Sequence, residues 1–243
     1  MWVGLQNNTT PVAVKTRKEG VVSKEDFLAE AQLMKELQHE NIIQLYGVCT
    51  HGDPIYIVTE LMKNGNLLDY LRKGMGCQLK FPELVAIGAQ VAKGMAYLEK
   101  QHYIRCDLAA RNVLVGENNI VKIANFGLAQ VFGQNKSYTP PDGVEFSIEL
   151  TAPEAFQHQH FSTKSDVWSF GILLWELVTY GDTPYPGMTD EEVKDKIPQG
   201  YRMPKPSRCP EPLYQIMLDC WKSEPEERPT FEYLIFALGD YPR

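Results

Sequence analysis

Cysteine is scarce in this chain: Cys49, Cys77, Cys106, Cys209 and Cys220 form no CxxC pair and no repeated spacing. That argues against a zinc site and a disulfide framework, and reads as free thiols in a reducing compartment. No apolar run reaches the roughly 18 residues of a membrane-crossing helix. The start, Met1-Trp2-Val3-Gly4, lacks both the basic-plus-apolar profile of a secretory leader and the Met-Gly of a myristoylation site. Neither a membrane span nor a lipid anchor is therefore expected in this chain. Positive charge is also limited, with 24 Lys and Arg against 31 Asp and Glu for a net charge of -7, and it is not clustered. Nucleic acid is therefore not expected as a partner, because phosphate backbones are met by basic patches. Internal repeats and low-complexity tracts are missing as well.

What remains is an ordinary globular composition, 44% hydrophobic and 23% charged, over 243 residues. That length allows one large domain or two lobes around a cleft. Residues 11–16 and 42–61 are dense in Val, Ile and Tyr, the second stretch broken by His51-Gly52-Asp53-Pro54, as strands joined by a turn should be. Between them Phe27, Ala31, Met34 and Leu37 recur at helical steps, with Ser23 and Asp26 spaced as an N-terminal cap. Pro82 opens a helix with Ile87, Val91, Met95 and Leu98 on one face, and two short strands follow at 112–115 and 121–124. Residues 132–147 show no period and read as a loop, whereas 166–180 are nearly apolar all round and read as a buried helix. The stretch 60–65, Glu-Leu-Met-Lys-Asn-Gly, is the candidate lobe boundary, a place where a ligand would bind between lobes.

Several short motifs occur in a fixed order: VAVK at 12–15, Glu30, DLAARN at 107–112, NFG at 125–127, APE at 152–154 and SDVWSFG at 165–171. On these the chain resembles a protein kinase domain. DLAARN, with EDFLAEAQLMKELQHENIIQLYGVC and CWKSEPEERPTF, makes it similar to the Src-type cytoplasmic tyrosine kinases, and most like the Fyn-related ones. The resemblance implies an α+β, two-lobed protein-kinase-like fold, a small β-rich lobe over a large, mainly α-helical one. Residues 1–61 would form the small lobe, 62–65 the hinge and 66–243 the large lobe. Since Met1 falls where the family's second strand continues and no GxGxxG is present, the small lobe is expected without its first strand and Gly-rich loop.

The implied reaction is transfer of the ATP γ-phosphoryl group to protein tyrosine, with ATP and Mg2+ as cofactors and a cytoplasmic location. Such transfer needs positioning and charge neutralisation more than covalent chemistry. By resemblance, Lys15 reaches the phosphates and pairs with Glu30, while Ala13 and Leu114 sandwich the adenine. Thr59 gates the back of the pocket, and the backbone of Glu60 and Met62 meets the purine edge. Asp107, Arg111 and Asn112 form the catalytic set, with Asn112 and Asn125 at the metal positions and Tyr138 the candidate phosphorylation site. Glu154 and Arg228 match an ion pair that anchors the following segment, and Asp166 matches the residue that holds the catalytic loop.

Departures from the pattern fall at functional positions. Asn125 stands for the metal-binding aspartate, and Arg105-Cys106 for the His-Arg before the catalytic aspartate. Arg105 is therefore expected to interrupt the family's stack of Met34, Leu45, Phe126 and the imidazole. Cys106 and Gln130 replace the arginines that grip a phosphorylated activation-loop tyrosine, so phosphorylation of Tyr138 is not expected to order the loop. Glu149 stands where the family carries a basic residue beside the substrate tyrosine. Three readings follow: a pseudokinase acting through a protein partner, a weakly active kinase for protein tyrosine, or a truncated non-functional remnant.

Overall fold

The structure, a computed structural model, describes residues 2–6, 10–17, 23–52, 54–131, 137–140 and 144–240, with side chains from Thr10 onward. Its smaller, β-rich part comprises β1 (Trp2–Gln6), β2 (Thr10–Thr16), α1 (Lys24–Glu36), β3 (Leu45–Cys49) and β4 (Tyr56–Glu60). The four strands form one antiparallel sheet in the order β1-β2-β4-β3. Ser23 caps α1, its hydroxyl accepting the Asp26 N–H at 3.0 Å, which satisfies one of the amides that a helix start leaves unpaired. Phe27 and Ala31 of α1 close over Ile55 and Ile57 in a small core of their own.

The larger part is mainly helical. It contains α2 (Leu67–Lys73), α3 (Phe81–Lys100), β5 (Tyr103–Ile104), β6 (Val113–Val115), β7 (Val121–Ile123), β8 (Gln130–Val131) and β9 (Ser137–Tyr138). After these come α4 (Pro153–His158), β10 (Phe161–Ser162), α5 (Thr163–Val178), α6 (Asp190–Lys196), α7 (Glu211–Cys220) and α8 (Phe231–Gly239). Helix α3 buries the face read from its periodicity, Ile87, Val91, Met95 and Leu98. Every residue of α5 from Ser165 to Val178 is buried, with α3 and α7 packed against it. Helix α7 approaches it closely at Gly171, where a Cβ would sit 2.7 Å from the Cys220 Cβ and 2.6 Å from the Trp221 indole nitrogen, so only glycine fits without movement.

Two details differ from the expectations. The aperiodic stretch at 132–147 contains a short strand, β9, paired antiparallel with β10 through Tyr138↔Phe161; residues 132–136 and 141–143 of that stretch lie outside the described residues. A two-residue strand carries no detectable period, so only the tertiary pairing defines it. Strand β1 pairs along five register positions with β2, an element that the Val, Ile and Tyr pattern, first read from residue 11, did not include, although the resemblance expected the family's second strand to continue there.

The two parts are joined along a backbone seam as well as through the 60–65 connector. Ile123 N–H donates to Asn41 C=O (2.8 Å), Ile43 N–H to Ile123 C=O (3.0 Å), and the Asn41 side-chain amide to Val121 C=O (2.9 Å). The segment leading into β3 is thereby hydrogen-bonded along β7. On the far side, the guanidinium of Arg228, fully buried, grips Glu154 through both carboxylate oxygens at 2.6 and 2.8 Å and also bonds Lys164 C=O and Lys222 C=O. Arg228 and Arg202 both lie against the buried Trp168 indole, at 5.1 and 4.8 Å from the ring centre.

Removing one partner of a buried ion pair leaves the other charge uncompensated. Glu154→Ala should therefore lower the unfolding free energy by about 3 kcal/mol, read from the urea midpoint; a loss below about 0.5 kcal/mol, the size typical of an exposed pair, would show that the backbone carbonyls alone satisfy Arg228.

Candidate active site

The sheet register brings the first group of expected residues together. Ala13 pairs with Thr59, and Val12 with Glu60, so β2 lies alongside the end of β4 and the start of the connector. Ala13 and Lys15, two residues apart on a strand, project to the same face. Lys15 Nζ meets Glu30 Oε2 of α1 at 2.6 Å, with Glu30 only 8% exposed against 40% for Lys15. The other oxygen of Glu30 accepts the Phe126 N–H at 3.2 Å, so one carboxylate ties β2, α1 and the 125–127 segment together.

The connector is equally fixed. Both oxygens of Glu60 receive Lys122 Nζ (2.8 and 2.9 Å), and one also accepts the Gln44 N–H, so this side chain is a cross-tie. The Thr59 hydroxyl donates to Glu60 C=O at 3.1 Å. Met62 is buried against Gly116, and β6 is laced to the connector by Val115 N–H to Gly65 C=O (2.8 Å) and the Asn66↔Leu114 bridge. Leu114, half-buried, thus stands beside the strand of chain that carries Glu60 and Met62.

The loop 105–112 holds the second group. Asp107 is engaged at both oxygens, by Arg111 Nη2 (2.6 Å) and by Asn112 Nδ2 (2.6 Å), the latter also reaching Asp107 C=O (3.0 Å). Asn125 donates its side-chain amide to Asn112 Oδ1 at 2.9 Å. The three side chains Asn125, Asn112 and Asp107 therefore form one hydrogen-bonded chain that ends on the only carboxylate among them. Among the described residues no group of three or more His, Cys, Asp or Glu side chains is arranged to hold a metal ion.

Arg105 and Cys106 lie beneath this chain. Arg105 has no exposed surface, and its guanidinium lies 5.2 Å from the centre of the Phe126 ring. The stack expected to be interrupted is instead continued by a cation, because a planar guanidinium can pack on an aromatic face. Cys106 is buried, with a left-handed backbone (φ 62°), as has Asn125 (φ 61°); a non-glycine residue in this region carries strain, and such strain gathers at functional sites. Burial first, and then the nearby Asp166, hold the Cys106 thiol well above its ordinary range, so it is a packed thiol and not a nucleophile.

Two buried carboxylates hold this loop from behind. Asp166 of α5 accepts the Arg105 N–H (2.7 Å) and the Cys106 N–H (3.0 Å). Glu176, one α-helical stretch further on, accepts the Ala110 N–H at 2.9 Å. Glu176 was not singled out from the sequence; its signal was a second carboxylate, besides Asp166, in a run otherwise nearly apolar all round, which must find a hydrogen-bond donor. Burial pushes both up to about 7, against the backbone hydrogen bonds that favour the ionised forms.

The remaining expected residues sit at the margin. Tyr138 is half-buried in the β9–β10 pair, with its phenol raised above the ordinary range by burial and then by Cys106. Gln130 pairs with Ile104 across β8 and β5. Glu149 is half-buried, raised by burial and then by Asp190 while Arg111 opposes both. No helix among the described residues is long and apolar enough to cross a membrane.

Comparison with known proteins places this geometry in context. The profile of the family described as protein tyrosine and serine/threonine kinase matches residues 2–238. The chain is 58% identical over 241 residues to Tyrosine-protein kinase SRK2 of Spongilla lacustris, covering 99% of this chain and 66% of that protein. It is 54% identical to Tyrosine-protein kinase SRK3 of the same organism, over 99% of this chain and 72% of the relative. It is also 56% identical to Tyrosine-protein kinase FRK of Homo sapiens, over 99% of this chain and 48% of the relative. The chain thus spans between about half and three quarters of the length of these relatives.

The raised carboxyls carry a pH signature. Each stays protonated in the folded chain up to about pH 7, whereas in the unfolded chain it ionises near pH 4. The stability they contribute is therefore complete below about pH 4 and lost as pH rises through 7, a few kcal/mol in all. Glu176→Gln keeps an oxygen for the Ala110 N–H and removes one titration, so urea unfolding at pH 5 and pH 8 should show about half the wild-type loss. An identical pH slope in the two chains would mean that Glu176 is ionised throughout.

Proposed function

Because the chain belongs to the protein tyrosine and serine/threonine kinase family, we propose that it is a tyrosine kinase domain of the non-receptor, Src-like type whose catalysis is impaired, a pseudokinase that acts in the cytoplasm through a protein partner. The observation that carries this reading is the hydrogen bond from Asn125 Nδ2 to Asn112 Oδ1. Magnesium prefers anionic oxygen ligands in a strict octahedron. Here the two metal positions are neutral amides, and the oxygen that Asn112 could offer already accepts a proton from Asn125. Both oxygens of Asp107 are engaged as well. The donor set does not fit Mg2+.

Adenine nucleotide fits better. Lys15 is held by Glu30, and Ala13, Thr59, Met62 and Leu114 border the connector whose backbone would meet the purine edge. Relative to the family pattern, Asn125 removes a negative charge and Arg105 adds a positive one. Both changes weaken the attraction for a cation and leave that for phosphate intact. ATP is the phosphoryl donor of the family's reaction; in this chain we assign it to binding, with the fold as the working surface. A weakly active tyrosine kinase is the second reading, favoured by the Lys15 and Glu30 pair and by the loop that presents Asp107.

Thermal unfolding separates the two, since a ligand that binds only the folded state raises apparent stability. ATP should raise Tm by a few degrees, and Mg2+ should add nothing further. In Asn125→Asp the Mg2+-dependent increment should return. A Mg2+-dependent shift in the unaltered chain, together with tyrosine-peptide phosphorylation abolished by Asp107→Asn, would overturn the pseudokinase reading in favour of the second.

A further inference from the structure

Arg105 is held twice, in two different ways. Its backbone N–H is fixed to Asp166 of α5 at 2.7 Å. Its side chain reaches in the other direction: Nη2 uses both of its hydrogens, on Ala124 C=O (2.8 Å) and Asn125 C=O (2.6 Å), while the guanidinium plane lies against Phe126. Among the described residues Nε and Nη1 have no hydrogen-bond partner, and Arg105 forms no ion pair. Burial lowers the affinity of this guanidinium for the proton, and Asp107, Asp166 and Glu30 oppose that from further away. The cation therefore depends on those two carbonyls and one ring for its local solvation.

We propose that Arg105 is a positioning residue, a charged latch that holds residues 124–126 in their inward place whatever occupies the cleft. If the segment swung away, Phe126 would leave the guanidinium face, both carbonyls would lose their donor, and a buried cation would be left without any hydrogen-bond acceptor. A group that can shed its charge would tolerate that release; an arginine does not shed it. Phe126 is held from the opposite side by Glu30 through its N–H. The latch thus joins α5 to α1 and Lys15 across the cleft, with Phe126 in the middle. This arrangement does not depend on whether the chain transfers phosphoryl groups.

The test is hydrogen exchange on the whole chain without nucleotide, comparing Arg105→Met with the unaltered protein. Methionine fills the space and removes the charge, a change that is neutral or stabilising to the global fold when a buried ion is replaced by an apolar side chain. Exchange in the 124–131 segment should accelerate by about tenfold or more, the effect of losing hydrogen bonds from a charged donor. Exchange in α3 and α5, and the urea midpoint, should hold or rise. Unchanged exchange at 124–131 in a folded Arg105→Met chain would overturn the latch, as would acceleration spread evenly over α3 and α5, which would mark a merely structural role. Should the methionine chain fail to fold, Arg105→His, which keeps one donor, carries the same comparison: intermediate acceleration confined to 124–131 supports the latch, and none refutes it.

Discussion

Asp166 sits on a helix with no solvent-facing side, and its carboxyl oxygens accept the amide N–H groups of two successive residues, Arg105 and Cys106. A carboxyl in that position is desolvated and takes its hydrogen bonds from the chain itself. What it captures is the turn that enters the 105–112 loop, in which Cys106 takes a left-handed backbone conformation. Glu176, further along the same helix, captures the Ala110 amide at the other end. The loop that presents Asp107, Arg111 and Asn112 is therefore suspended from α5 at two points, and its geometry is inherited from the most buried element of the protein.

A second linkage crosses the cleft. Glu30 receives Lys15 with one oxygen and the Phe126 amide with the other, and Phe126 rests on Arg105. Asn41 and Ile43 add backbone bonds to β7, and Glu60 reaches Lys122. The β-rich and helical parts thus meet through several independent contacts, each locating one border of the site. This is why a small sheet with its own four-residue core can hold Lys15 in register with groups that belong to the other part.

Charge tells the functional story. At the positions where the family pattern has an imidazole and a carboxylate, this chain has a guanidinium and an amide. The amide turns its donor toward Asn112, and the guanidinium turns its donors toward the backbone of residues 124 and 125. Both substitutions convert a place that would accept positive charge into one that supplies hydrogen-bond donors. Relative to the family pattern the local charge becomes more positive, which reduces the electrostatic pull on a divalent cation.

Much of this was legible in the sequence, because local rules act over short distances. The Ser23 cap, the buried face of α3 and the nearly all-apolar α5 follow from periodicity and spacing, whereas the grouping of Lys15, Glu30, Asp107 and Asn112 was implied by the resemblance that the ordered motifs carry. The departures at Arg105, Cys106 and Asn125 were also visible residue by residue, as was the family to which the chain belongs. What the sequence could not decide is which way those side chains turn. Arg105 read as an interruption, because an arginine is a poor core residue on average; the folded chain offers it two carbonyls and a ring at separations of about 20 residues in sequence, which no local pattern encodes. Likewise the role of Glu176 and the Tyr138 pairing with Phe161 exist only once distant segments meet. Identity at each position was written in the chain, while the partners of its buried polar groups were set by tertiary packing, since burial is what makes those partners obligatory.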